Sequence, residues 1–235
     1  HARVNELLLQ HCKGQEKTVT VVIGGGGPTG VEFAAEISSF CMRACAKYNL
    51  SFKNFKVTGI EAGSRLLGVS HPKVSAWAKE RLLHMGVDVW LDTCVKEVKK
   101  GSVVIAPRPL REGENADALL CDFREEREKK FEADIFIWSG GIRAPEVLQK
   151  SDLLLDAKGR VDVHDTLLAK GKDNVFALGD CAVLLDPKTK RTVPALGQVA
   201  IAQASVVAEN IHRAIAKKHL HAYGFPSFLQ LIPAG

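Results

Sequence analysis

Hydrophobic and polar positions along the chain switch repeatedly between a period of two and a period near 3.6 residues. The first clear apolar run, Val19, Val21, Val22 and Ile23, is β-branched and meets four consecutive glycines, Gly24 to Gly27. Helical periodicity follows at once, with Val31, Ala34, Ala35, Ser38, Cys41, Met42 and Cys45 on one face. That order predicts a strand, a tight turn and a helix. A second apolar run, Lys56 to Ile60, ends in Glu61, and a loop over Ala62 to Ser70 follows. Pro72 then opens a helix with Val74, Trp77, Ala78, Leu82 and Met85 on one face, and Gly86 closes it. Trp77 is read as core, and Val87 to Leu91 as the third strand. With the buried run Ala133 to Trp138, these segments predict a parallel sheet of Thr18–Ile23, Lys56–Glu61, Val87–Leu91 and Asp134–Trp138.

Between Cys94 and Phe131 the pattern changes to short alternating stretches, Val95–Val98, Val103–Ile105 and Leu119–Phe123, divided by turn-rich polar segments. These predict an antiparallel meander of hairpins. Further on, Pro145–Gln149 reads as a short helical stretch and KGRVDVHDTLL, from Lys158, as a strand pair. Asn174–Leu178 reads as an apolar strand of a second, incomplete sheet. Pro194 starts a long helix with Val199, Ala202, Val206, Val207, Asn210, Ile211, Ala214 and Ile215 on one face. The weaker helical pattern Ala2–Cys12 reads as a connector. Ala222–Gly235 carries aromatic and aliphatic residues around two prolines; it is read as packing on the body ahead of lying on a membrane surface or a partner.

Chemistry concentrates at the glycines. Gly25, Gly27 and Gly30 make G-x-G-x-x-G, in which one glycine serves the turn, one the approach of a pyrophosphate, and one close helix–strand packing. Free N–H groups at the helix start, with the dipole behind them, favour an anion there. Pro28 and Thr29 belong to the same loop, and glycines at a plain strand-to-helix turn are the alternative reading. Glu61 stands at the end of the next strand, where a carboxylate accepts from both ribose hydroxyls of an adenosine and repels a 2′-phosphate. This puts NAD ahead of NADP. The acid ordinarily follows at about 20 residues; Gly30 to Glu61 is 31 here, so the first helix or its exit is extended. Gly140 and Gly141, after Trp138 and Ser139, suit either a second close approach to a ligand or a simple turn.

Composition adds bounds rather than chemistry. The 235 residues are 46% hydrophobic and 25% charged, ordinary for a soluble globular protein of one large or two modest domains. The net charge of +5 is mild and its basic residues alternate with acids, as in REEREKK from Arg124, so nothing marks a nucleic-acid surface. No apolar run approaches the roughly 18 residues a spanning helix needs. The six cysteines lack C-x-x-C and metal-ligand spacing, and Cys41 with Cys45 read as buried thiols on one helix face. Residue 1 is His, so the natural N-terminus is expected upstream, and any targeting peptide is unreadable.

The order of glycine turn, acid after the second strand, inserted meander, strand ending in Gly-Gly, then NVFALGDCA resembles the two-dinucleotide flavoprotein reductases. GGGPTGVEFAAEI with IWSGGIRAPE and KGRVDVHDTL most resembles the type II NADH:quinone oxidoreductases, over about Val19 to Ile215. The resemblance implies an α/β fold: a connector helix over 1–16, a Rossmann-like NAD(H)-binding domain with its meander over 17–143, the C-terminal part of an FAD-binding domain over 144–216, and a tail over 217–235. It implies FAD and NAD as cofactors, with Gly25, Gly27, Pro28, Thr29 and Gly30 on the pyrophosphate and Glu61 on the adenosine ribose. Glu32 matches an acid near the nicotinamide–flavin contact; a carboxylate favourably placed in the first helical turn is its other reading. Gly179 and Asp180 match the turn whose acid holds the flavin ribityl chain, and Gln198 and Val199 the contacts to the flavin pyrimidine. A quinone partner, peripheral membrane contact, a homodimer or larger respiratory assembly, and a place on the mitochondrial inner membrane (or a plastid or bacterial one) follow from the same resemblance. The family also carries an N-terminal half with its own G-x-G-x-x-G for FAD. In the helix from Pro194, Ala202 stands where the family places a second glutamine, and Gln203 lies one place on. A degenerate relative serving as an accessory or structural subunit is the alternative function; a disulfide reductase fits less well, for want of C-x-x-C.

Overall fold

The computed structural model describes residues 6, 18–108, 128–187, 190 and 192–224, which fall into two compact units dividing between Gly141 and Ile142. The first opens with strand β1 (Val19–Gly24), helix α1 (Pro28–Tyr48), strand β2 (Phe55–Ile60), helix α2 (Pro72–His84) and strand β3 (Val87–Trp90). A meander follows, of β4 (Thr93–Lys99), β5 (Ser102–Pro107) and β6 (Lys129–Glu132), before β7 (Ile135–Trp138). The four-stranded sheet has the order β3-β2-β1-β7 and is parallel throughout, as expected, with Val22 beside Thr58 on one side and Phe136 on the other. The distance from Gly30 to Glu61 is taken up by the 21-residue α1 and by a 3-10 turn at Phe52–Asn54.

Alternation along these strands sorts side chains to the two faces of the sheet. Ile23, Val57 and Val87 pack with Val31, Ala34 and Ala35 of α1 and Ala78 and Leu82 of α2. Val22 and Ile60 face the other way and pack with Val103 and Ile105 of the meander. The α1 face runs through Ala44 rather than Met42, which is 37% exposed. Ser38 is fully buried there because its hydroxyl donates to Met85 O at 2.5 Å, tying α1 to the end of α2. On α2 the buried arc is Ser75, Ala78 and Leu82. Trp77 lies about 120° round the helix from that arc, and with Val74 it is exposed, so its reading as core does not hold. The third meander strand is β6, paired with β5 from Ser102↔Glu132 to Ile105↔Lys129. Leu119–Phe123, where it was expected, lies outside the described residues, as do the connector Ala2–Cys12, Glu6 apart, and the tail beyond Gly224.

The second unit is built on short, irregular pairings. A 3-10 turn spans Glu146–Lys150, β8 (Val161–Asp162) runs parallel to β9 (Ala182–Val183), and helix α3 covers Gly197–Ile215. Asn174–Leu178 forms no regular strand: it meets Leu167–Ala169 through one antiparallel bridge and two flanking backbone bonds. The helix begins three residues later than Pro194, because Leu196 stays extended and packs into this unit's core. Its buried line is Val199, Gln203, Val207 and Asn210, while Ile211 and Ile215 are exposed. Asn210 donates to Thr166 O and His221 O and accepts from His221 N–H, which fixes the chain after α3.

Two outcomes test these contacts. Burial, with Cys45 alongside, pushes the Cys41 thiol up to about 12; Cys41 should resist alkylation by iodoacetamide at pH 8 in the folded chain and react in urea, as followed by mass spectrometry. Asp156 is held below the ordinary carboxylate range: burial opposes this, but hydrogen bonds from the Arg160 side chain and backbone and from Lys158 N–H outweigh it. Its contribution is therefore present above the unfolded carboxylate pKa and lost as pH falls through the depressed folded value. Arg160→Ala should cost about 1–3 kcal/mol at pH 7, and the difference from the parent in urea unfolding should shrink below about pH 4.

Candidate functional site

The glycines lie where β1 gives way to α1, beside the ends of β2 and β7. Gly25 N–H donates to Ile60 O at 2.7 Å, and Ser139 N–H to Gly24 O at 2.7 Å, so the turn is stitched to both neighbouring strands. Gly25 sits at φ +112°, and a Cβ there would lie 2.4 Å from Ser139 O. At Gly30 the crowding is greater, since a Cβ would lie 1.8 Å from Gly25 O. The Ser139 hydroxyl lies within hydrogen-bonding distance of both Gly24 O and Gly25 O, at 3.0 and 3.1 Å.

Gly27 differs from both. It is the N-cap of α1 in ordinary extended conformation, and a Cβ on it would meet nothing within 4 Å. Neither strain nor crowding within the protein asks for glycine there, and the space beside its backbone is open. No side chain caps α1, and Pro28 occupies its first turn, so the following amides point outward unpaired by a cap. The observed geometry fits an anionic group of the diphosphate kind.

Glu61 is the second part of the site. Its Oε2 accepts from Gly26 N–H at 2.5 Å and its Oε1 from Gly63 N–H at 2.6 Å. Each carboxylate oxygen retains a further lone pair, so a pair of vicinal hydroxyls can still be held. The loop beyond β2, which sequence reading left without a role, buttresses this corner. Leu67 N–H donates to Gly26 O at 2.8 Å, and the Leu66 side chain fills the space a Cβ on Gly26 would need. Arg65 donates to Gly68 O, Ser70 O and Ser75 Oγ, folding that loop onto α2.

Gly140 and Gly141 follow β7. The Trp138 indole folds back over Gly140, where a Cβ would come within 2.3 Å of the ring, and Gly141 adopts φ +104° with open space around it. Glu32 is the fifth residue of α1, half-buried, and α1 has no acid in its first turn, so the helix-start reading of Glu32 is corrected.

In the second unit, Gly179 (φ +61°) and Asp180 form a 3-10 turn with Cys181. Asp180 is exposed. Gly179 N–H donates to Oε1 of the buried Gln203 at 2.7 Å, so this glutamine of α3 anchors the turn. Gln198 is exposed at the uncapped start of α3. Val199 is 2% exposed, and its side chain is part of the unit's core.

A family model described as pyridine nucleotide-disulphide oxidoreductase matches residues 4–204. A type II NADH:quinone oxidoreductase of Haemophilus influenzae is 30% identical over 213 residues, 89% of this chain and 43% of that protein. One from Staphylococcus saprophyticus is 26% identical over 83% of this chain and 44% of its own length. The chain thus spans less than half the length of these relatives. Among solved structures, NDH2 from Plasmodium falciparum in complex with NADH aligns at TM-score 0.62 and 23% identity, over 78% of this chain and 37% of that one. The sulfide:quinone oxidoreductase of Aquifex aeolicus aligns at TM-score 0.65 and 19% identity, over 92% and 48%. Both show the same fold. With the parallel sheet, the glycine turn and a match across most of its length, the chain belongs to the pyridine nucleotide-disulphide oxidoreductase family.

Proposed function

We propose that this chain is the NAD(H)-binding domain (17–143) and the C-terminal part of the FAD-binding domain (144–216) of an NADH dehydrogenase that delivers electrons through a flavin to a quinone. The observation that carries the reading is Gly27: a glycine at an N-cap without a side-chain cap, with ordinary φ and no protein neighbour, which leaves the helix-start backbone open to a ligand. NADH would lie with its diphosphate on the first amides of α1 and its adenosine ribose on Glu61. The relatives' names support NADH and quinone as the substrates.

The chain's own residues then have definite tasks. The turn Gly25–Gly30 fixes the diphosphate, and Glu61, already oriented by two backbone N–H groups, accepts from the ribose hydroxyls without moving. That orientation is fixed in advance of binding, which lowers the entropy cost of holding the nucleotide. Glu32, half-buried on α1 without a side-chain partner among the described residues, would lie near the nicotinamide. Gly140 and Gly141 let the backbone pass close to the same ligand. Asp180 would accept from the ribityl hydroxyls, with Gln203 holding its turn, while Gln198 and the Val199 amide would meet the flavin edge at the positive end of α3. Bound FAD supplies the hydride acceptor and the relay of electrons to quinone. The remaining FAD-binding residues belong to the N-terminal half that the relatives' greater length accommodates. No helix of the described residues is long and apolar enough to cross a membrane, and peripheral attachment to an energy-transducing membrane, mitochondrial or bacterial, completes the proposal.

Gly27→Ala separates fold from ligand. It should lower the thermal midpoint by only a few degrees at most, the scale of an N-cap change, and weaken NADH binding by at least about tenfold, roughly 1.4 kcal/mol, as measured by calorimetric titration; an alanine variant that binds NADH like the parent would sink the nucleotide site. Glu61→Gln should narrow the preference for NADH over NADPH, because a 2′-phosphate no longer meets a carboxylate. It should also cost about 1–3 kcal/mol of stability, since its amide turns a donor toward one of the two N–H groups that Glu61 now accepts.

A further inference from the structure

Between Glu61 and α2 the chain makes a turn that its own sequence does not favour. Leu67 is 1% exposed and sits at φ +50°, in the left-handed region that branched side chains rarely adopt. Backbone of that kind persists where its surroundings over-determine it. Here Ser70 N–H closes on Leu67 O at 2.8 Å. The Arg65 guanidinium then bonds across the same turn, Nη1 donating to Ser70 O at 2.8 Å and Nη2 to Gly68 O at 2.6 Å. Nη1 also donates to Ser75 Oγ at 3.1 Å, which fastens the turn to the buried arc of α2.

The clamped turn reaches the site through Gly26. Leu67 N–H holds Gly26 O at 2.8 Å, and the side chain of buried Leu66 lies against the same glycine. Gly26 N–H in turn donates to Glu61 Oε2. Gly26 is thus held by its carbonyl and aimed by its amide. The other carboxylate oxygen has a separate support, since Gly63 N–H donates to Oε1 and Gly63 O accepts from Asp92 N–H at 3.0 Å. Arg65 therefore bears on Oε2. It is the first cation after Glu61 in the chain, the position from which an arginine can accommodate a 2′-phosphate in NADP sites. Both Nη1 protons and one on Nη2 are committed to the turn and α2, so this guanidinium serves as a brace instead.

We propose that Arg65 is a positioning residue for adenosine recognition. By clamping the turn Leu67–Ser70 to α2 it fixes Gly26, and through Gly26 it keeps Glu61 Oε2 aligned for the ribose hydroxyls. It thereby sets the strength of the preference for NADH without touching the nucleotide. The proposal rests on the reading of Glu61 as the ribose acceptor.

The test is calorimetric titration of the whole chain with NADH and with NADPH, alongside amide hydrogen exchange of the nucleotide-free chain followed by NMR. Arg65→Ala should weaken NADH about tenfold, the scale of a hydrogen bond to a charged group, and NADPH less than about twofold, so the ratio of affinities falls at least about fivefold. Exchange at Gly26 and Leu67 should quicken, while Gly25, bonded to Ile60 O, keeps its protection. Arg65→Lys keeps the charge and stem but not the planar fork; it should fall between the parent and Arg65→Ala, and it reads both quantities if the alanine variant does not fold. Arg160→Ala, which destabilises the second unit, should leave the affinity ratio at the parent's value, so that lost stability alone does not move it. Parent-like exchange at Gly26 and Leu67 in the Arg65 variants would overturn the clamp. Quickened exchange with a parent-like affinity ratio would overturn the role in specificity. A parent chain that binds neither nucleotide would instead overturn the reading of Glu61, whatever the exchange shows.

Discussion

The site depends on how closely α1 approaches the exit of β1. Where a Cβ on Gly30 would stand 1.8 Å from Gly25 O, no other residue type allows the helix to begin so near the strand. Three things follow from that one distance. The first turn of α1 aims its amides out over the ends of the strands, where an anion can meet them. The inner face of α1 is brought down on Ile23 and Val57, so Val31, Ala34 and Ala35 must be small or β-branched to fit. Ser139, at the end of β7, comes within reach of Gly24 O and Gly25 O, which locks the far side of the turn. The parallel register on both sides of β1 is thus held at the same point that would cradle a ligand.

Glu61 has two roles that reinforce one another. A carboxylate at the end of β2 with no partner would be strongly solvated and mobile; here two backbone N–H groups, from Gly26 and Gly63, hold both of its oxygens. The same two bonds pin the glycine turn to the loop beyond β2, and Leu67 N–H on Gly26 O closes the arrangement. A charged group is therefore part of the local structure before any ligand is present. Charge-assisted hydrogen bonds are about twice as strong as neutral ones, so the turn gains order from the group whose further lone pairs would accept the ribose.

Much of this was legible in the sequence. The strands of the parallel sheet are short apolar runs bounded by glycines or polar residues, and the glycine spacing places the turn without any knowledge of packing. Periodicity was less reliable for which residues face the core. It put Trp77 and Val74 on the inner face of α2 because both are apolar, but only a narrow arc touches the sheet, and Ser75 fills it with a hydroxyl that Arg65 satisfies. Met42 lost its place on α1 to Ala44 for a similar reason: close helix–sheet packing favours the smaller side chain. Short paired segments of the second unit, such as Asn174–Leu178, carry a strand-like pattern but are held by single bridges that leave no periodic signature.

The polar anchors were the least legible, and physically they had to be. Ser38, Asn210 and Gln203 are buried because each bonds a backbone group far away in sequence, at Met85, at Thr166 and His221, and at Gly179 respectively. Nothing in their own neighbourhood announces such a partner. Gln203 is the instructive case, since its position one place beyond a glutamine expected in the family suggests a displaced functional group. It faces inward, as a rotation of about 100° per residue requires, and its amide oxygen serves Gly179 instead of solvent. Its burial removes it from the exposed face of α3 and gives the Gly179–Asp180 turn a fixed position on that helix. One polar side chain, turned by a single step along a helix, thus acts as a structural support for the carboxylate beside it.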